Sequence, residues 1–182
     1  MTVGLVERAR AGDELAFASL VDLHGGRCFG IAYRILRDAD RAQDAVQQAF
    51  LLAWRELARL RDPERFEVWL HRLLVNACYE EARQRRRWIS RVAPIPDDGP
   101  VMADPVVSVD DRDALERAFQ RLTPEQRAAF VLHHHAGFPL DVTAEIVGVP
   151  VGTVKSRIHA ATRGLRAAIL ADEQIGTEVR TA

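Results

Sequence analysis

The chain has 182 residues, 48% of them hydrophobic and 28% charged, which excludes disordered, fibrous and collagen-like classes and fits one domain or two small ones. Its 25 basic and 26 acidic side chains give a net charge of −1, so the total neither announces nor excludes a polyanionic partner. Charge appears early, at Glu7, Arg8 and Arg10, which leaves no apolar stretch for a secretory signal, and no run approaches the roughly 18 apolar residues of a membrane span. Cys28 and Cys78 are too few for a disulfide framework, so the expectation is a cytoplasmic protein without membrane insertion.

In chain order, the first predicted helices lie near residues 13–23, capped by Asp13 and carrying Phe17, Leu20 and Val21, and near 27–37, with Cys28, Ile31 and Ile35. From Asp40 to Arg59, Val46, Phe50, Ala53 and Leu57 repeat at the spacing of one helical face. From Asp62 to Arg87 the stripe is Phe66, Trp69, Leu70, Leu73, Leu74 and Ala77, with Asp62 as N-cap and Pro63 at the first helical position. Val92 to Asp113 then breaks the pattern. It carries Pro94, Pro96, Pro100 and Pro105, with one basic side chain against six acidic, whereas residues 1–91 hold 16 basic and 13 acidic and residues 114–182 hold eight and seven. Such a segment reads as a linker.

The second half is sharply punctuated. Thr123-Pro124-Glu125-Gln126 is a capping box with proline at N1, opening a helix that should stop at Gly137. Pro139 opens a short helix that Gly148 ends, and Pro150 opens a third with Val154, Ile158, Ala161 and Leu165 along one face. Helix, tight turn, short helix, tight turn and longer helix make a helix-turn-helix unit. With that face buried, Thr153, Ser156, Arg157 and Ala160 point outward beside Lys155, His159 and Arg163, and all of these but Ala160 carry donors suited to phosphates and base edges. No period-2 alternation occurs, so the expected fold is all-α: two small helical domains at 1–91 and 114–171, a flexible acidic linker at 92–113 and a short tail at 172–182.

The segment Val151-Gly152-Thr153-Val154-Lys155-Ser156-Arg157-Ile158-His159, preceded by Leu122-Thr123-Pro124-Glu125-Gln126-Arg127, resembles region four of bacterial sigma factors of the extracytoplasmic-function (ECF) group. The first half resembles the same family independently. Asp44-Ala45-Val46-Gln47-Gln48-Ala49-Phe50 with Ala53-Trp54 is similar to region 2.2, and Phe66-Glu67-Val68-Trp69-Leu70-His71-Arg72 through Asn76 and the Arg83–Arg87 run is similar to the promoter-melting segment. The resemblance implies an alternative sigma factor, not an enzyme and without a cofactor, whose partners are core RNA polymerase, promoter DNA and an anti-sigma factor. It implies polymerase contact at Asp44, Gln47, Gln48, Leu51 and Arg55. It further implies downstream-element binding and melting at Arg61, Arg65, Asn76, Arg83 and Arg86, and upstream-element binding at Thr153, Lys155, Ser156, Arg157, His159 and Arg163.

The chain departs from the family pattern in places. Gln48 stands where a glutamate is usual, Ala160 and Thr162 where arginines are common, and Leu140-Asp141-Val142-Thr143 where an acidic pair and an isoleucine are usual. His133-His134-His135 cannot converge on one ion from a helix, because three consecutive side chains fan over about 200 degrees. His24 with Cys28 and His71 with Cys78 lack the further ligands of a structural zinc site, so the cysteines read as small buried hydrophobes and no metal is expected. Trp54 and Trp69 read as core, while Trp88 inside the arginine run reads as part of a nucleic-acid surface. Ser156 and His159 lack an orienting acid and an oxyanion donor. The competing classes are an autonomous helix-turn-helix regulator, in which the first half would sense or dimerise, and a His/Cys metalloenzyme.

Overall fold

The structure is a computed structural model that describes the backbone of residues 2–92 and 111–181, and the side chains of 2–91 and 116–167. Every regular element among the described residues is helical. Eight α-helices run Thr2–Arg10 (α1), Glu14–Leu36 (α2), Ala39–Glu56 (α3), Phe66–Val92 (α4), Asp111–Arg121 (α5), Pro124–Phe130 (α6), Leu140–Val147 (α7) and Val151–Thr181 (α8). Short 3-10 turns, Leu57–Arg59 and Pro63–Arg65, join α3 to α4, and a π-helical turn, Val131–His135, follows α6. Most of the expected linker lies outside the described residues; its last three residues open α5.

Capping chemistry fixes the starts. Asp13 accepts from the Ala16 amide at 3.0 Å and Asp38 from the Arg41 amide at 3.1 Å. Asp62 accepts from the Glu64 amide at 2.9 Å, with Pro63 behind it as expected. The capping box is complete: Thr123 Oγ1 accepts from the Gln126 amide at 3.2 Å, and Gln126 Oε1 accepts from the Thr123 amide at 2.9 Å. Gly137 and Gly148 take φ of +78° and +71°, the left-handed conformation that ends a helix without a Cβ clash.

Three expectations are revised. The helices predicted at 13–23 and 27–37 are one, because α2 continues through Gly25 and Gly26. The two glycines cost about 1 kcal/mol each in a helix, less than burial of Leu20, Cys28, Ile31 and Ile35 along the same face returns. Of the expected stripe, Phe50, Ala53 and, just after α3, Leu57 are buried and Val46 is half-buried, but the buried face also takes in Ala42, Ala45 and Ala49. Small side chains let α2 and α4 approach α3 closely from both sides. The stretch expected as a tail continues α8 as helix to Thr181. Helix α1 was missed, since it buries only Val6 and Ala9.

The two halves pack against each other, with α7 along α4 and α6 against both α2 and α4. Apolar residues of both belong to one continuous buried cluster, from Leu20, Ile31 and Leu70 to Leu132, Ile146 and Val154. A smaller cluster of Ala118, Leu122, Ala161 and Leu165 ties α5 to α8.

Candidate nucleic-acid interface

The third helix of the helix-turn-helix, α8, buries Val154, Ala161 and Leu165 and half-buries Ile158, as its periodicity requires. Lys155, Ser156, His159 and Arg163 are consequently exposed and Thr153 is half-buried. The Ser156 hydroxyl donates to the Thr153 carbonyl at 2.9 Å, and Thr162, one of the departures, donates to the Ile158 carbonyl at 2.9 Å. Lys155 and His159 share an open cleft of about 430 Å³ with Arg166, His133 and His134. Arg166 lies beyond the motif, and the sequence offers His133 and His134 only as a rejected metal site; the packing of the π-helical turn against α8 places them beside Lys155 and His159.

Arg157 does not point into solvent as expected. It is half-buried and its charge faces the Tyr79 hydroxyl of α4. Burial pushes the Tyr79 phenol up to about 12 against the opposing pull of Arg157, and its hydroxyl has no hydrogen-bond partner of ordinary geometry among the described residues.

In the first half, Arg61, Arg65, Asn76, Arg83 and Arg86 are all exposed. Asn76 and Arg83 are seven residues apart on α4 and share a face, on which the exposed Arg72 also lies one turn earlier. At 1.5 Å rise per residue the strip from Phe66 to Arg86 is about 30 Å long, a track along one helix rather than a pocket. Arg83 pairs with Glu80 at 3.1 Å. Arg65 is engaged by Glu145 of α7 through a charge-assisted hydrogen bond. Trp88 is 62% exposed beside the arginine run, as a surface role requires.

Asp44, Gln47, Gln48, Leu51 and Arg55 form one exposed stripe on α3, opposite its alanine face. Trp54 is a correction. It is 38% exposed at the edge of this stripe and packs against Phe17, 4.9 Å between ring centroids, over a shallow groove rimmed by Glu14 and Asp22. Trp69 is half-buried against Phe66, at 6.0 Å, on the margin of the core.

No group of three or more histidine, cysteine or acidic side chains among the described residues is arranged to hold a metal ion. Cys28 and Cys78 are buried and free, their thiols pushed up to about 12 by loss of solvent. Among the described residues no helix is long and apolar enough to cross a membrane.

Comparison with known proteins agrees with this arrangement. Residues 20–88 match the family model for sigma-70 region 2, and residues 112–163 match that for sigma-70 region 4. The chain is 38% identical over 170 residues to the ECF RNA polymerase sigma factor SigM of Mycobacterium tuberculosis (strain ATCC 25618 / H37Rv), covering 93% of this chain and 85% of that protein. It is 27% identical over 173 residues to the ECF sigma factor SigW of Bacillus subtilis (strain 168), covering 88% and 92%. Among solved structures, CnrH in complex with the cytosolic domain of CnrY superposes with a TM-score of 0.66 at 27% identity, covering 94% of this chain and 98% of that one. The sigma factor RpoE of Bartonella quintana, in complex with the anti-sigma factor NepR, gives 0.67 at 24% identity, covering 86% and 98%. Helix-turn-helix geometry in the second half, a basic track and an exposed polar stripe in the first, and two family matches in the same order lead to one conclusion: the chain belongs to the ECF group of RNA polymerase sigma factors, non-enzymatic proteins that direct transcription initiation.

Proposed function

We propose that the chain divides its work along its length. Residues 1–91 dock on core polymerase and melt the downstream promoter element, residues 114–171 bind the upstream element, and the acidic segment 92–113 connects them. The observation that carries this reading is the exposure of three separate strips of the required chemistry on a helical frame. Asp44, Gln47, Gln48, Leu51 and Arg55 serve the polymerase. Arg61, Arg65, Asn76, Arg83 and Arg86 serve the downstream element, and Thr153, Lys155, Ser156, Arg157, His159 and Arg163 the upstream one. Arg72 and Arg166 extend the two DNA strips as phosphate contacts, since each is exposed beside them. The site of action is the cytoplasm, and an anti-sigma factor restrains the protein there, as NepR pairs with RpoE.

With a net charge of −1, the isolated protein has little counterion release to drive DNA binding, so specificity should arise only with core polymerase. Run-off transcription with purified core polymerase on genomic fragments tests the division of labour and the promoter choice together. Tight sequence-specific binding by the protein alone at physiological salt would instead support an autonomous helix-turn-helix regulator.

A further inference from the structure

The cleft beside the recognition helix is lined by an unusual set of charges. Lys155, His159 and Arg166 are exposed on α8, and their spacing of four and then seven residues sets them along one flank, about 16 Å from end to end. His133 and His134 join them from the π-helical turn, and Leu140, Ile158 and Thr162 complete the lining. The Thr162 hydroxyl is already used on the Ile158 carbonyl, so the charged groups that a ligand meets are two fixed cations and three imidazoles. No acidic side chain lines the cleft among the described residues. Asp141 follows Leu140 on α7 but lies outside the lining, and His135, the third histidine of the run, faces Arg34 and Arg27 of α2 instead.

The imidazoles can take an anion only by taking a proton as well. His133 Nδ1 donates to the Phe138 carbonyl at 2.9 Å, so in the neutral ring Nε2 carries no proton. That lone pair repels a phosphate oxygen, whereas protonation makes Nε2 a donor and adds a charge. His134 packs on Phe130, with 4.7 Å between centroids, and edge-on against His133 at 4.8 Å. Loss of solvent first, and the His133 charge second, hold His134 below its ordinary value, so the neighbouring rings resist being charged together in the free protein. A bound anion removes that resistance. Position selects which anion it is: a recognition helix lies in a major groove about 12 Å wide, so cations along its flank meet the phosphate wall and not the base edges.

We propose that His133, His134 and His159, with Lys155 and Arg166, form a proton-dependent seat for promoter phosphates, so that upstream-element binding tightens as pH falls from about 8 to about 6.5. The proposal rests on the reading of α8 as the upstream-element helix. The sign follows from linkage: the bound state holds more protons, so lowering the pH favours it. An imidazole of ordinary pKa, about 6.5, that a phosphate lifts by about one unit gains roughly fourfold in affinity over this range. Each added charge also steepens the log-log salt slope by about 0.9.

The test measures binding of the complete polymerase complex to a promoter fragment across that pH range at several salt concentrations. The wild type should bind roughly four- to twentyfold more tightly at the lower pH, with a salt slope steeper by about 1 to 2. The triple variant His133→Asn, His134→Gln, His159→Gln, in which asparagine keeps a donor for the Phe138 carbonyl, should lose most of this difference and resemble the wild type at pH 8. His134→Gln alone changes an exposed ring, so it folds even if the triple variant does not, and it should lower the pH ratio severalfold. His134→Arg, with a fixed charge, should bind more tightly than the wild type at pH 8. A pH-independent wild type, or a dependence unchanged in both neutral variants, would overturn the proposal. So would an equal dependence on a fragment truncated to remove the upstream element, because the protons would then act elsewhere. Truncation that costs no affinity at any pH would remove α8 from the upstream element, and the proposal would fall with that reading. Truncation that costs affinity alongside a pH-independent wild type would keep the reading and remove the phosphate seat.

Discussion

His71 meets Phe138 edge-on, with 5.0 Å between ring centroids, and so joins α4 to the turn that leads into α7. The imidazole is fully buried; Nδ1 donates to the Glu67 carbonyl at 2.7 Å, and Nε2 has no hydrogen-bond partner among the described residues. With Nδ1 donating and Nε2 buried without an acceptor for a second proton, the packed form is the neutral Nδ1–H tautomer.

That geometry gives a pH dependence with a definite sign. Burial first, aided by the charge of Arg27 and by His24, holds His71 below its ordinary 6.5, against the pull of Glu67. His24 is held down in the same direction, again by burial first. The unfolded chain therefore binds more protons than the folded one as pH falls below 6.5, and stability is lost in that direction by at most about 1.4 kcal/mol per pH unit per group. Urea unfolding midpoints should be flat above about pH 7 and fall from 6.5 toward 5.5. His71→Phe, which keeps the ring contact, should flatten part of that slope; an unaltered slope would mean that His71 binds protons alike in the folded and unfolded chain and that His24, His134 and His135, held down in the same direction, carry it.

Asn76→Ala should impair open-complex formation more than core binding. The side chain is exposed on α4 and supports nothing in the core, while its amide offers both a donor and an acceptor to a base edge. Permanganate footprinting of the bubble should weaken while the variant still competes normally for core polymerase. A pre-melted template should rescue transcription, and failure of that rescue would assign Asn76 a role other than capture of an extruded base.

Cys28 and Cys78 should resist thiol reagents in the folded protein and both react once it is denatured. Each is fully buried, and loss of solvent pushes both thiols up to about 12, so the thiolate fraction at neutral pH is negligible. Titration with a chromogenic disulfide at pH 8 should count no fast thiol in native protein. A fast-reacting thiol would locate an opening of the α2–α4 core.

The parts of the fold that were legible in sequence are those written by short-range chemistry. Asp13, Asp62, the Thr123 capping box, Gly148 and the apolar stripe of α8 each act within one or two turns, so spacing alone reveals them. The exposed stripe on α3 was legible for the same reason. What was not legible depends on distant partners. The alanine face of α3 carries little hydrophobic signal and becomes a core face only because α2 and α4 close on it. Trp54 was read as core because it is large and apolar, yet its position on α3 leaves one face on Phe17 and the other in solvent. Glu145 sits on the helix just before that of Arg157, yet the fold gives it to Arg65 and turns Arg157 toward Tyr79, contacts that no local spacing announces.

The recognition helix offers the sharpest test of role by residue. Lys155 and Arg163 are exposed on α8, and a flexible ammonium or a late-helix guanidinium suits a phosphate better than a fixed base edge. Lys155→Ala should weaken upstream-element binding by the polymerase complex almost uniformly across promoter sequences and reduce the log-log salt slope by about 1. Arg157 differs because it must first leave Tyr79. As a bidentate guanine reader it would contribute about 1–3 kcal/mol at a single promoter position, so Arg157→Ala would relax preference there and leave the salt slope nearly intact. As a phosphate clamp it would behave like Lys155. Competition assays on a set of single-base promoter variants, repeated at three salt concentrations, separate the two outcomes. Unchanged transcription from upstream-element-dependent promoters would instead confine Arg157 to its contact with Tyr79 and leave recognition to Lys155, Ser156, His159 and Arg163.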